Sequence, residues 1–110
     1  MGKREIIWVT VSTTSRKEAE KIGMAVLKKR LCACFSLIPK ITSVYFWPPK
    51  SGCLEKTKGP LLVLETMEKN YSKITKIVKA LHTEKVPFIG QWEMENVEKS
   101  FYNWLKAEIK

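Results

Sequence analysis

One histidine and three cysteines leave this 110-residue chain little material for metal or nucleophilic chemistry. His82 is the only imidazole, so no Ser-His-Asp or Cys-His arrangement can be assigned around a second base, and no enzyme is expected. There is no Cys-x-x-Cys, and a zinc or copper site needs about three or four ligands, so one chain cannot close such a site around His82. Cys32, Cys34 and Cys53 are odd in number and sparse, which argues against a disulfide framework and fits a reducing compartment. The glycines, Gly2, Gly23, Gly52, Gly59 and Gly90, are too dispersed for a phosphate-binding loop. No apolar run approaches the roughly 20 residues that span a bilayer. The opening MGKREIIWVT lacks a signal-peptide layout, and Ile6 stands where a myristoylation signal requires Ser or Thr. A cytoplasmic protein without a membrane partner or an organic cofactor is expected.

Charge of one sign is abundant by contrast. Twenty Lys and Arg against eleven acidic residues give a formal charge of +9. The lysines are dispersed, from Lys28 and Lys29 through Lys40, Lys50, Lys56 and Lys58 to Lys79, and no block of five like charges occurs. Dispersed charge usually means solubility, so nucleic acid is not the expected partner, although an anion- or nucleic-acid-binding module using the charge stays open as a third reading. Hydrophobic residues at 45% suit a globular chain of this length, read as one domain over 1–110.

Patterning supplies the elements. IIWVTVS (6–12) is rich in β-branched residues and reads as a strand. Ser15 with Glu18 three residues on is a capping-box pattern, and Ala19, Ile22, Val26 and Leu27 then fall at helical spacing, giving a helix over 15–30. The next stretch, RLCACFSLIPKITSVYFW (30–47), alternates as a strand with a bend or bulge at Pro39, and puts Leu31, Ala33, Phe35, Leu37, Ile41, Tyr45 and Trp47 on one face. PPKSGCLEKTKG (48–59) reads as a loop, LLVLET (61–66) as a buried strand, and 71–82 as a second helix capped by Asn70. VPFIGQWEME (86–95) reads as a strand, and Phe101, Trp104, Leu105 and Ile109 mark a short C-terminal helix. The order is β-α-β-β-α-β plus a last helix: an α+β, ferredoxin-like plan with an antiparallel sheet and helices on one face.

The second strand is too long for its globule. Residues 33–47 extended would span about 50 Å, at about 3.3 Å each. A compact chain of this size has a diameter around 34 Å. An edge that overhangs with Tyr45, Phe46 and Trp47 at its tip is an aggregation hazard unless another subunit pairs with it, so an oligomer is expected.

The same stretch carries a family likeness. KRLCACFSLIPKITSVYFW (29–47) resembles the K-R-L-A-A-C-x-N-L-I-P-x-I-x-S-x-Y-x-W block of the CutA family, named for divalent-cation tolerance. LET (64–66), LHTEKVP (81–87) and FYNWL (101–105) stand where that family has L-K-T, L-H-P-Y-x-x-P and a terminal Y-x-x-W. The resemblance implies a ferredoxin-like homotrimer with strand pairing and clefts between subunits, and an association with copper or other divalent cations. Glu65, Thr83, Glu84, Pro48 and Pro49 depart from the family pattern, and they cluster around the cleft positions. In this reading His82, Glu84 and Glu65 are the metal-ligand candidates, shared between subunits, with Tyr45, Trp47 and Cys34 lining the cleft. A trimeric interaction, scaffold or signalling protein that has lost the metal site is the alternative. Cys32 and Cys34, two apart on a strand, share a face, and thiolates there would bind copper; free cysteine also packs as a small hydrophobe, and packing is the expected role. A structural, capping His82 is likewise preferred to a liganding one.

Overall fold

The computed structural model describes residues 5–110. Strands β1 (Ile6–Ser12), β2 (Cys34–Phe46), β3 (Leu54–Met67) and β4 (Ile89–Glu93) form one antiparallel sheet in the order β2-β3-β1-β4. Helices α1 (Arg16–Lys28) and α2 (Tyr71–Leu81) connect them, and α3 (Lys99–Glu108) follows. This is the expected ferredoxin-like α+β order.

Alternation along β1 explains the two faces. Ile7, Val9 and Val11 point toward α1 and α2, where they are fully buried with Ile22, Val26, Leu62, Leu64, Ile74 and Val78. At about 25 cal/mol per Å2 of apolar surface, this layer is the main source of stability. Ile6 points the other way and packs with Met67, Leu105 and Ile109. Thus α3 covers one end of the opposite face, which corrects the expectation of helices on one face only.

Other boundaries move. The stretch expected as a loop up to residue 59 is strand from Leu54 onward; only the tip is a turn, closed by Trp47 N–H donating to Cys53 O (2.9 Å) and containing a cis Trp47–Pro48 bond. The last strand is shorter than expected, Ile89–Glu93. Asn70 precedes α2 without capping it: it ends a 3-10 turn (Glu68–Asn70) with helical backbone angles, and its amide NH2 donates to Leu31 O (3.2 Å).

The bend in β2 is a bulge, and it changes more than direction. Leu37 and Phe35 pair with Leu62 and Leu64, but the register slips between Ile38 and Ile41, so that Thr42, Val44 and Phe46 pair with Lys58, Lys56 and Leu54. Directly opposed residues share a face, and β3 continues without a slip. Val44 and Phe46 therefore continue the helix-side face, while Ile41, Ser43 and Tyr45 cross to the other. The single face drawn from Leu31 to Trp47 is thus corrected: one extra residue inverts the alternation, and Lys40 takes up the bulge at φ 59°.

β1 pairs with β3 only from Leu61 to Met67. Beyond that point, residues 41–46 and 54–59 pair only with each other, as a two-stranded ribbon. The molecule is accordingly long, 47 × 29 × 23 Å with a radius of gyration of 15.0 Å.

Candidate functional site

Two loops meet at the root of the ribbon, and a buried carboxylate ties them together. Ser15 caps α1 by accepting from Glu18 N–H (3.1 Å), as the capping box requires. Glu18, however, does not return to Ser15. Its Oε1 accepts from Thr14 N–H (2.8 Å) and the Thr14 hydroxyl (3.0 Å), and its Oε2 accepts from Thr83 N–H (2.8 Å). Burial pushes the Glu18 carboxyl up more than any other single influence, but the hydrogen bonds from Thr14 and Thr83 together outweigh it and leave it below the ordinary carboxylate value. Sequence reasoning missed this tether. The available signal was Glu18 lying one turn before Ile22, on the inward stripe.

His82 belongs to the same cluster. Its side chain is fully buried, its Nε2 lies 2.7 Å from Ser12 O, and its Nδ1 accepts from Glu84 N–H (3.0 Å). A carbonyl only accepts, so these partners specify the tautomer protonated on Nε2. Both ring nitrogens are engaged within the chain. The ring fastens the α2–β4 connection to the end of β1 and so sets the position of Glu84.

Glu84 lines a cleft of about 260 Å3 with Ser12, Thr14, Tyr45, Thr57 and Phe88. The cleft opens into a wider depression bounded by Tyr45, Trp47, Pro48, Pro49, Glu84 and Lys85. Of the residues expected at the site, Tyr45, Trp47 and Glu84 come together here, and His82 supports them from behind.

Glu65 and Cys34 lie elsewhere. They face each other across β2 and β3, and Glu65 Oε2 accepts from Trp8 Nε1–H (3.2 Å). Glu65 lies four steps along β3 from Leu61, the partner of Ser12, which is about 13 Å along the strand. One chain therefore does not assemble His82, Glu84 and Glu65 around an ion, and no group of three or more His, Cys, Asp or Glu suited to a metal occurs among the described residues.

The cysteines also separate. Cys32 is buried in the helix-side core, ahead of β2, and burial pushes its thiol up to about 12. Cys34 is half-buried on the opposite face; burial first, then the Glu65 carboxylate, push its thiol up. The shared face expected for the pair is corrected, because regular alternation begins only at Cys34. Neither is poised as a thiolate. Alkylation of the native protein followed by mass spectrometry should label exposed Cys53 first and Cys34 more slowly. Cys32 should react only on unfolding, and labelling of Cys32 ahead of Cys53 would contradict this placement.

Residues 7–108 match a family described as CutA1 divalent ion tolerance protein. The divalent-cation tolerance protein CutA of Thermus thermophilus is 30% identical over 102 residues, covering 93% of this chain and 94% of that protein. Protein CutA of mouse is 30% identical over 95 residues, covering 86% of this chain; the chain spans 52% of that relative's length. Among solved structures, CutA1 from Oryza sativa superposes with a TM-score of 0.89 at 24% identity, covering 98% of each chain, a likeness of fold.

Proposed function

Since the chain belongs to the CutA1 divalent ion tolerance family, we propose that it works in divalent-cation tolerance as a homotrimer, without catalysis, and that any cation contact lies between copies. The observation that carries this reading is the unpartnered ribbon beside the cleft. Val44, Phe46 and Leu54 are exposed to 60%, 66% and 67% on one of its faces, and its outer edges find no strand partner within the described residues. A two-stranded ribbon is marginal in water by itself, and apolar edges invite pairing. A neighbouring copy seated on the ribbon would also close the depression that Tyr45, Trp47 and Glu84 leave open.

The metal reading rests on Glu84, the exposed carboxylate of the cleft, with further donors from a neighbouring copy. Copper or another divalent cation would be held weakly there, since His82 keeps both nitrogens on Ser12 and Glu84 backbone. That engagement favours, as a second reading, a trimeric interaction protein with no metal site.

Light scattering and copper titration calorimetry on the wild type and Glu84→Gln decide between these. A trimer whose copper affinity falls about tenfold or more in Glu84→Gln supports the first reading, the tenfold step corresponding to about 1.4 kcal/mol. A trimer with no copper heat supports the second. A stable monomer at micromolar concentration overturns both.

A further inference from the structure

We propose that the outer surface of the α1/α2 layer is a docking face for the phosphate backbone of a nucleic-acid duplex, bound without sequence choice. The starting point is where the charge sits. Residues 16–30 and 68–82 hold ten basic and three acidic residues, while the other 80 residues hold ten basic and eight acidic. Seven of the nine net positive charges are thus in the two helices and their ends. Of the three acids, Glu18 is buried and Glu20 is paired with Arg16 (2.9 Å).

Helical geometry gathers what the sequence disperses. Lys17, Lys21 and Lys28 recur at intervals of four and seven, which puts them within about 40° of one another around α1, at about 100° per residue. Lys73, Lys76 and Lys79 follow at intervals of three on α2, which contains no acidic residue. All six are exposed, and none is ion-paired among the described residues.

The helices lie side by side and antiparallel. The start of α2 meets the end of α1 through Asn70 and Leu31, and the end of α2 meets the start of α1 through Thr83 and Glu18. The six exposed lysines therefore lie on one continuous two-helix layer rather than on two separate surfaces. Lys17 to Lys28 covers about 16 Å of helix, a length over which a DNA duplex presents about ten phosphate charges.

The other side chains select the occupant. Met24 is the only large apolar residue exposed on either helix, so the face offers nothing to insert into a bilayer. It carries no exposed aromatic ring on which unpaired bases would stack, which separates it from single-strand binders. Lysine, a point charge on a flexible stem, suits phosphate contact without base reading.

Fluorescence anisotropy with two labelled duplexes of unrelated sequence, about 20 base pairs each, tests the assignment across about 50–200 mM salt. The wild type should bind both sequences equally, with log K falling against log salt at a slope near −5 for about six phosphate contacts. Lys21→Glu/Lys76→Glu should weaken binding at least about tenfold and flatten the slope by about 2. Lys50→Glu/Lys106→Glu makes the same change in net charge elsewhere and should alter affinity less than about threefold. All four residues are exposed, so circular dichroism should show each variant folded. An equal loss in both variants would overturn the proposal by reducing it to bulk charge. A salt-independent wild type, or binding to vesicles rich in anionic phospholipid that excess duplex does not displace, would overturn it as well.

Discussion

Gly59→Ala should destabilise the protein by about 3 kcal/mol, among the larger costs expected of a single methyl group. A Cβ at Gly59 would stand 2.2 Å from the carbonyl oxygen of Thr13. That oxygen belongs to backbone, not to a side chain that can swing aside. Thr13 is itself pinned to the same strand, its N–H donating to Pro60 O (3.2 Å) and its hydroxyl donating to the same oxygen (2.7 Å). The methyl must separate the end of β1 from β3 where the ribbon leaves the sheet. Gly52→Ala is the control: it stands at φ 73° with nothing within 4 Å, so only backbone strain of about 1 kcal/mol applies. Urea denaturation at one protein concentration measures both. A Gly59→Ala midpoint indistinguishable from wild type would show that this approach is not tight.

The second large effect is expected at Glu18. Glu18→Ala strips the acceptors from Thr14 N–H and Thr83 N–H near the ring of His82, and should cost about 3 kcal/mol. The acid limb carries a separate signature. The folded carboxyl is held below its ordinary value of 4.5. Its contribution is therefore complete above pH 4.5 and is lost as the pH falls through the lower, folded value. Stability measured against Glu18→Gln should differ by a constant amount above that pH and converge below it. A difference that persists undiminished well into acid would mean that the ionised form contributes nothing. Because Thr83 adjoins Glu84, Glu18→Ala should also loosen the cleft wall and weaken any ligand held there.

Much of this architecture was legible in linear order. The strand at 6–12, both main helices and the C-terminal helix follow from apolar spacing, and the excess length of the second strand follows from arithmetic. The boundary at Leu54 was not legible, because Glu55, Lys56, Thr57 and Lys58 have turn-like chemistry and become strand only by pairing with β2. The face assignments past Pro39 failed for a related reason. A bulge is one residue of slip, and nothing in local composition says which side of it a side chain will take. At the site, Tyr45, Trp47 and Glu84 bound one depression of the single chain. Glu65 was separated from them by strand register, and His82 was drawn into hydrogen bonds that only the folded loops create.

What the chain determined by itself is the kind and order of its elements, since apolar period and capping chemistry act over a few neighbours. What waited for the tertiary structure is every relation between distant segments. These include the Glu18 tether from α1 to the loop after α2, the inverted face of the ribbon, and the lysines gathered on one two-helix layer. Such relations depend on which backbones come within hydrogen-bonding distance, and that distance is set by the packed core rather than by adjacency along the chain.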